Sequence, residues 1–346
     1  MSALAHGTDA SPARPIDVVC VGNALMDHLA FAPYDVLDEL GLPPGSMTLV
    51  DIETSLRIAE RVGTHRRVPG GMVTNTAVGI ASFGGTPAFI GAVAHDEPGE
   101  RFAADLDASG VRAVLERFPV DEADSEAATG RCFVVVTPDG ERTMATALGV
   151  GGRLDRSGID VDLLAEAALV FLEGYVLDLP DAPAIVERIL EARRRAGNTV
   201  AVGLADSLLV ERHHATLARL VHEEVDLVFA NEAEICALAG VPSVREALGA
   251  VARPGLVAVA TCGSDGALVG AGGGVLHVPV APIDPVVDRT GAGDLFAAGF
   301  CYGFTHGADL EEAGALGALA AAEVIGHLGA RPERPLAAIA TAKTPL

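Results

Sequence analysis

Lysine and tryptophan are almost absent from this sequence. The 346 residues include a single lysine, Lys343, no tryptophan, and only 4% aromatic residues. Walker-type phosphate loops need a lysine inside a glycine-rich turn, and the protein-kinase fold needs one on an early strand. The sequence therefore argues against both architectures, and any bound phosphate must be held by backbone N–H groups, arginine or a metal ion. The apolar residues are mostly Ala, Val and Leu, which favours helices packed on buried strands.

Positive charge is also scarce. Lysine and arginine total 24 against 47 acidic residues, which gives a formal net charge of −23. A chain this acidic is repelled by nucleic-acid phosphates and by anionic membranes, so neither is a predicted partner. The sequence contains no run of about 18 or more uncharged apolar residues, so no membrane span is predicted.

Cysteines are few and scattered. The five cysteines form no Cys-x-x-Cys pair, which favours buried thiols in a reducing cytoplasm over a disulfide or zinc framework. The first residues are rich in Ala, Pro and Ser and lack an apolar core, so we predict a disordered tail over residues 1–15 and no signal peptide. Residues 16–346 are predicted to form one domain.

Apolar strands alternate with helical segments along most of the chain. Strands are predicted at 16–21, 88–93, 169–172, 200–203, 225–229 and 256–261. Helices are predicted at 74–83, 99–108, 181–195, 208–221, 232–239, 244–251, 292–306 and 310–327. This alternation indicates βαβ units, so we predict an α/β fold with a mostly parallel central sheet flanked by helices.

Two stretches, at about 27–51 and 112–147, interrupt the alternation. They contain short β-branched or alternating segments, and Pro-Asp-Gly at 138–140 is typical of a hairpin turn. We predict that the two stretches together form a small β-sheet lid on the α/β domain.

The segment 288–300, DRTGAGDLFAAGF, carries the strongest chemical signal. Glycines at the start of a helix bring N–H groups close to a bound anion, and Asp294 directly follows them. A carboxylate in this place can take a proton from an attacking hydroxyl while the N–H groups stabilise a transferring phosphoryl group. An ordinary helix N-terminus with an acid that complements the helix dipole is the alternative.

This segment resembles the C-terminal signature of the ribokinase/PfkB family, usually D-T-x-G-A-G-D, with Arg289 in place of the usual threonine. Residues 69–85, PGGMVTNTAVGIASFGG, followed by 90–96, resemble the N-terminal signature of the same family. The resemblance runs from about residue 17 to 331. It implies a ribokinase-like fold and a kinase that uses ATP and Mg²⁺, and it leaves a requirement for K⁺ open.

The resemblance assigns catalytic roles to five residues. Asp294 would be the general base, and Gly291, Ala292 and Gly293 would form the anion hole. Arg142, in DGERTM, matches an arginine with which nucleoside-phosphorylating members reach the phosphates. A solvated arginine in a hairpin turn would fit the same pattern.

The substrate-binding residues implied by the resemblance lie in two segments. Asn23 and Asp27 belong to GNALMD after the first strand, where a carboxylate can accept hydrogen bonds from both hydroxyls of a diol. Gly70, Gly71 and Asn75 match the substrate loop of the family. GNALMD lacks the second glycine of a G-x-G-x-x-G motif, which argues against a dinucleotide-dependent oxidoreductase.

The nucleotide site is implied by two weaker motifs. Asn231 and Glu234, in NEAE, match an N-x-x-E motif associated with nucleotide and with Mg²⁺ held through water, although this spacing is also a capping box. Thr261, Gly263 and Gly266 match a T-x-G-x-x-G turn that lines the nucleotide, although alone it is only a turn between two strands.

The acceptor is implied by segments outside the two signatures. The segments TGRCFVVVTPDGERTMATALG, FLEGYVLD and ADSLLVER resemble bacterial adenosine kinases, which implies transfer of the γ-phosphate to a nucleoside, at the 5′-OH of adenosine. Tyr175 would lie near the base, although a core position is equally compatible. Met72 replaces a small polar residue of related members, so a sugar acceptor remains the alternative, and a non-catalytic ligand sensor a weaker one. Related proteins often dimerise through the lid, so a homodimer is an expectation.

Overall fold

The fold is built on two β-sheets, seen in a computed structural model that describes residues 14–283 and 285–343. The predicted disordered tail lies almost entirely outside the described residues. The strands are β1 (Ile16–Val21), β2 (Leu25–Phe31), β3 (Met47–Leu49), β4 (Arg66–Gly70), β5 (Pro87–Ala94), β6 (Arg112–Phe118), β7 (Thr129–Val136), β8 (Arg142–Gly149), β9 (Ala167–Glu173), β10 (Thr199–Gly203), β11 (Leu227–Asn231), β12 (Val257–Thr261), β13 (Ala267–Ala271) and β14 (Gly274–Val278).

The large sheet has nine strands in the order β14-β13-β12-β11-β10-β9-β1-β5-β6. Its strands pair in parallel from β12 to β6, and β13 and β14 form an antiparallel hairpin at one edge. Strand β5 is buried along its whole length, as expected for a central parallel strand with near-continuous apolar sequence. The predicted α/β fold with a mostly parallel sheet is confirmed.

Helices cover both faces of this sheet, and each face has its own apolar core. Residues alternating along β1 divide between the two cores, with Val19 in one and Val18 in the other. The helices are α1 (Tyr34–Leu40), α2 (Ile52–Val62), α3 (Met72–Ser82), α4 (Glu97–Ala108), α5 (Val161–Glu166), α6 (Ala182–Ala196), α7 (Ser207–Arg212), α8 (His214–Arg219), α9 (Glu232–Ala239), α10 (Val244–Val251), α11 (Ala292–Thr305), α12 (Leu310–Val324) and α13 (Leu336–Lys343).

The small sheet has five strands in the order β3-β8-β7-β2-β4. Residues 112–118, predicted to belong to the lid, instead form β6, which pairs in parallel with β5 at the edge of the large sheet. The reason is that an edge strand is covered incompletely, so none of its residues is fully buried and its sequence RAVLERF does not show which sheet it joins. Strand β4 lies outside both predicted stretches. Its sequence RRVPG contains a proline, which does not indicate a strand and which only an edge strand accommodates.

Two further observations concern the described residues alone. No helix among them has both the length and the apolar character needed to cross a membrane. The five cysteines are all free thiols, and Cys20, Cys132 and Cys301 are buried.

Candidate active site

Two neighbouring strands of the large sheet end in polar residues that contact each other. Glu173 closes β9, and Asn23 follows the end of β1. The side-chain amide of Asn23 donates to Glu173 Oε1 at 3.0 Å, and its backbone N–H donates to Oε2 at 3.3 Å. Gly22 leaves room for this pair, because a Cβ at that position would overlap with the Glu173 carboxylate. The C-terminal edge of a parallel sheet is where open α/β folds bind their ligands.

Asp27 of β2 lies beside this pair, on the small sheet. Its carboxylate packs directly over the Cα of Gly70 in the adjacent strand β4, where a Cβ would overlap with it. The backbone of Gly70 does not have a positive φ, so the need for glycine here is purely one of space. Gly70 therefore supports the position of Asp27.

Gly71 begins α3 and directs its first turn towards the site. Its φ is 99°, and a Cβ would lie 2.5 Å from the backbone oxygen of Asn23, so only glycine suits this position. Asn75, in the first turn of α3, donates from Nδ2 to Asp294 Oδ2 at 2.9 Å. Its Oδ1 accepts from Arg331 Nε at 2.8 Å.

The first turn of α11 presents backbone N–H groups and one carboxylate. Gly291 caps the helix with φ 75°, and a Cβ there would lie 2.8 Å from the Cα of Ala330. A Cβ added at Gly293 would meet no atom within 4 Å, so this part of the turn faces open space. Asp294 follows and is partly buried. The N–H of Ala292 donates to the carbonyl oxygen of Arg289 at 3.3 Å, and N–H groups beside open space at a helix N-terminus generally suit a bound anion.

Three carboxyl groups around this turn have raised pKa values. Burial raises the pKa of Asp294 to about 6, while the hydrogen bond from Asn75 and the charge of Arg331 lower it. Burial likewise raises the pKa of Asp27 to about 7 and that of Glu173 to about 7. A carboxylate with a pKa near 6 is mostly ionised at neutral pH and still basic enough to accept a proton, which is typical of a general base.

An ion pair connects the loop before α11 to the small sheet. Arg142, the first residue of β8, forms an ion pair with Asp288. Asp288 is buried, and its carboxylate also accepts from the N–H and hydroxyl of Thr290, each at 2.7 Å, and from the N–H of Gly329 at 2.9 Å. Arg142 is therefore no solvated hairpin residue, since it connects the small sheet to the turn that carries Gly291.

A cavity of about 340 Å³ opens between the two sheets, and we call it the Asp27 cavity. Its polar lining residues combine carboxylates and amides with the arginine of the small sheet: Asn23, Asp27, Asn75, Arg142, Glu173, Asp178, Thr290 and Asp294. The other large lining residues are mainly apolar: Leu25, Met47, Leu49, Met72, Cys132, Val134, Met144, Leu148 and Tyr175. The cavity can thus hold a molecule that has both hydroxyl groups and a flat apolar part.

A second cavity, of about 330 Å³, lies beyond the same turn, and we call it the Thr261 cavity. Its walls are mainly small and apolar: Val280, Ala281, Ile283, Val286, Phe296, Ala318, Ala321, Ala322 and Ile325. The remaining lining residues come from the T-x-G-x-x-G turn and from the start of α11: Thr261, Gly263, Ser264, Gly266, Arg289, Ala292 and Gly293. The first turn of α11 therefore separates the two cavities and contributes lining residues to both.

A third and larger cavity of about 460 Å³ adjoins the Thr261 cavity near α12. It shares Ile283 and Ala322 with that cavity, and none of the predicted site residues lines it. Volume alone is therefore a poor guide to the reactive centre of this protein.

Asn231 and Glu234 line neither of the two cavities described above. Glu234 accepts from the backbone N–H of Asn231 at 2.9 Å and from its side-chain amide at 2.6 Å, and Asn231 Oδ1 accepts from Glu234 N at 2.9 Å. This is the capping box that the spacing also predicted. A role of the pair in metal binding stays a prediction.

The structure brings most predicted residues to the two cavities, and it adds three that sequence reasoning gave no role. Glu173 and Asp288 are buried around the turn, and Arg331 is half-buried there. Glu173 had a signal, since it is an acid that ends an apolar strand in the sequence VFLEG. Arg331 had none, because its partner Asn75 lies 256 positions earlier in the chain.

Comparisons with known proteins agree with this geometry. The model of the family described as pfkB family carbohydrate kinase matches residues 45–336. The structure of adenosine kinase from Sinorhizobium meliloti superposes with a TM-score of 0.90 at 36% sequence identity, over 95% of this chain and 99% of that one.

Curated relatives point to two kinds of acceptor. Adenosine kinase from Saccharomyces cerevisiae is 25% identical over 334 residues, which is 90% of this chain and 95% of the relative. An uncharacterized sugar kinase from Archaeoglobus fulgidus is 30% identical over 269 residues, which is 75% of this chain and 98% of the relative.

Proposed function

Since the chain belongs to the pfkB family of carbohydrate kinases, we propose that it transfers the γ-phosphate of ATP to the 5′-hydroxyl of a nucleoside, with adenosine as the acceptor. The family consists of phosphotransferases that act on a hydroxyl group, and the chain is such an enzyme. The identity of the acceptor and the roles of individual residues are the proposal.

The observation that carries the nucleoside is the composition of the Asp27 cavity. A nucleoside has a hydroxylated ribose and a flat base, and the lining of this cavity combines carboxylates with an apolar wall of methionines, leucines and Tyr175. Methionine is polarizable and adapts to flat rings, so Met72, Met47 and Met144 suit a purine. A free hexose or pentose has no apolar part that would need such a wall.

In the proposed reaction each residue near the turn has one task. Asp27 accepts hydrogen bonds from the ribose hydroxyls, and Asn23 and Asn75 complete the polar end. Asp294 takes the proton of the 5′-hydroxyl as that oxygen forms a bond to the γ-phosphorus and the bond between this phosphorus and the leaving ADP oxygen breaks. The N–H groups of residues 291–293 stabilise the negative charge on the phosphoryl oxygens in transit.

The residues also fit the ATP and Mg²⁺ that this family uses. The Thr261 cavity offers apolar walls for a base, and its Gly293 end is open where the phosphates would approach the turn. Among residues 14–283 and 285–343 no group of three or more His, Cys, Asp or Glu could hold a metal ion by itself. Mg²⁺ would therefore be held mainly by phosphates and water, as it commonly is. When bound, it would neutralise charge on the phosphates.

Glu234 is compatible with a place near the metal-bound waters. Its pKa is raised to about 7, mainly by burial; the hydrogen bond from the Asn231 N–H lowers the pKa, and the charges of Asp206 and Asp294 raise it. A nearby divalent cation would reduce the repulsion between these carboxylates. The capping box and a role in binding metal-bound water are mutually consistent, since each carboxylate oxygen has two acceptor sites.

The decisive experiment measures ADP formation by the purified protein with ATP and Mg²⁺ and one acceptor at a time. Adenosine, other nucleosides, ribose, fructose and a sugar acid form the panel. The matched control acceptor is 5′-deoxyadenosine, which fills the same cavity but has no hydroxyl at the reacting carbon. We expect adenosine to stimulate ADP formation strongly and 5′-deoxyadenosine to inhibit it competitively.

Two other outcomes would change the proposal. If only a sugar stimulates turnover, the chain is a sugar kinase, as the Archaeoglobus relative is named, and the apolar wall has another use. If no acceptor on the panel stimulates turnover but adenosine binds, the chain functions as a ligand sensor and the proposed reaction is wrong.

Loss of the ion pair between the small sheet and the loop before α11 is expected to lower activity and stability together. Arg142→Gln removes the partner of the buried Asp288, and removing one partner of a buried pair typically costs about 3–5 kcal/mol. The hydrogen bonds from Thr290 and Gly329 remain, so we expect a loss at the lower end of that range. Denaturant unfolding measures the change in stability. The second measurement is the ratio of phosphate transfer to ATP hydrolysis. This ratio should fall in the variant, because closure of the small sheet excludes water and the variant closes less well. Arg57→Gln, on the exposed face of α2, is the control.

The oligomeric state and the cellular location stay predictions. The homodimer would form through the small sheet, whose edge strand β3 exposes Leu49. A cytoplasmic location is supported by the five free cysteines, since thiols persist in reducing compartments.

A further inference from the structure

Arg331 lies behind the reacting groups, in the segment that follows α12 (Leu310–Val324). Its Nε donates to Asn75 Oδ1 at 2.8 Å, and its Nη1 donates to Asp105 Oδ2 at 3.0 Å. Its Nη2 is buried without a hydrogen-bond partner among the described residues. A buried guanidinium with an unsatisfied N–H is costly, so this position is hard to explain by stability alone.

The chemistry of the three side chains fixes their orientation. Arginine can only donate, so the Asn75 oxygen must face Arg331 and the Asn75 amide must face Asp294. If the amide were flipped, its NH₂ would face the guanidinium and its oxygen would face the carboxylate. The amide therefore holds Asp294 by Oδ2, and Asp294 Oδ1 has no hydrogen-bond partner among the described residues.

We propose that Arg331 is a positioning residue of the phosphotransfer site, which locks the Asn75 amide so that Asn75 holds Asp294 with its second oxygen directed at the acceptor hydroxyl. The inference rests on the proposed function, in which Asp294 is the general base. It extends that function to a residue of the C-terminal segment that contacts neither cavity.

The charge of Arg331 acts in the same direction as its hydrogen bond. It lowers the pKa of Asp294 and that of Asp27 against the effect of burial. The other charged groups whose fields reach Asp294 are carboxylates, namely Asp27, Glu173 and Glu234. Asp105 balances part of the arginine's charge, and Arg142 on the far side of the turn is engaged by Asp288. Arg331 therefore offsets the repulsion between Asp27 and Asp294 and favours the ionised form of Asp294.

The first arm of the test compares Arg331→Met and Arg331→Lys with the native enzyme. A base must be ionised to work, so activity rises with pH through its pKa, and loss of the cation moves that rise to higher pH. For Arg331→Met we expect the acidic limb of kcat to move up by about one pH unit, which by itself lowers kcat at pH 7 about twofold, and loss of positioning to bring the total fall to about 10-fold. KM for ATP should stay within about threefold, and activity should partly return at pH 9. Arg331→Lys keeps the charge, so its limb should stay near the native one.

Arg334→Met is the matched control, because Arg334 lies three residues further along the same segment and is exposed. An equal loss of kcat at every pH, with no movement of the limb, would show a purely structural role and overturn the proposal. If Arg331→Met does not fold, Arg331→Gln takes its place, because glutamine removes the charge and keeps N–H donors. A limb of kcat that moves to higher pH then supports the proposal, and an unmoved limb refutes it.

The second arm does not depend on turnover. The unfolding temperature is measured between pH 5 and pH 8 for the native protein, Asp294→Asn, Arg331→Met and the double variant. The change in unfolding temperature caused by Asp294→Asn, with and without Arg331, reports how the Asp294 carboxyl titrates. We expect the titration to shift to higher pH without Arg331. An unshifted titration contradicts the proposal even if the enzyme is active. If no acceptor is phosphorylated by the native protein, the proposed function fails, and this arm still decides whether Arg331 controls Asp294.

Discussion

Replacing Asp294 by asparagine is expected to lower kcat by about 10²–10⁴ and to leave KM for ATP and nucleoside nearly unchanged, as is typical when a general base is removed. Asparagine has the same shape, and its oxygen can still accept the hydrogen bond from Asn75. The loss would therefore measure proton acceptance and not a disturbed fold. Steady-state kinetics with adenosine gives the value, and Asp38→Asn on the exposed face of α1 is the control.

The same variant has a predicted pH signature. Because burial raises the pKa of Asp294 to about 6 from its usual 3.8, activity of the native enzyme should rise as pH increases through 6, and that limb should vanish in Asp294→Asn. The proton is bound more tightly in the folded state, so its contribution to stability is fully present below pH 3.8 and is lost as pH rises through 6. Asp294→Asn should thus unfold at a higher temperature than the native protein at pH 8. A variant that keeps more than a tenth of native kcat would exclude Asp294 as the base.

Replacing Gly70 by alanine is expected to lower kcat/KM for the nucleoside by about 10² or more while KM for ATP changes little. The three atoms nearest to the added Cβ all belong to the Asp27 carboxylate, so the methyl group must displace it. The carboxylate would lose two hydrogen bonds to the ribose hydroxyls, and hydrogen bonds to a charged group contribute about 1.5–3 kcal/mol each. Gly249→Ala is the matched control, because a Cβ there meets nothing within 4 Å and α10 should gain stability.

A double-mutant cycle tests whether the effect of Gly70→Ala passes through Asp27. If it does, adding Gly70→Ala to Asp27→Ala causes little further loss, because the displaced group is already missing. Equal and additive losses would mean that the methyl group disturbs β4 (Arg66–Gly70) or the start of α3 instead. Isothermal titration with adenosine and kinetics with ATP separate binding of the acceptor from binding of the nucleotide.

The sequence alone predicted the large sheet and the reactive turn, because both are determined by neighbouring residues. The buried strands show as short apolar runs, and the turn shows as glycines that a helix interior would disfavour. Gly291 has a positive φ at the start of α11, where the glycines were expected, and Asp294 follows in the first turn. Local backbone requirements of this kind depend on few residues, so they can be inferred before the fold is known.

The limits of the sequence appear where an edge or a distant contact is involved. Residues 112–118 lie in a stretch that the sequence assigned to the lid, yet pairing with β5 (Pro87–Ala94) places them in the large sheet. The NEAE segment is compatible with both a capping box and a metal site, and its local geometry shows the capping box. Sequence pattern does not distinguish such alternatives, because strand order depends on the packing of the whole chain.

The chain's residues by themselves determined that this is an α/β kinase with a glycine-rich turn and Asp294 behind it. Tertiary structure alone decided how that carboxylate is held. Folding brings Asn75, Asp294 and Arg331 into one hydrogen-bonded row from three distant segments, and it places Asp288 against Arg142 of the small sheet. The physical reason is that a helix or turn is stabilised within a few residues, whereas a buried charge takes its partners from whichever segments the sheet order brings together.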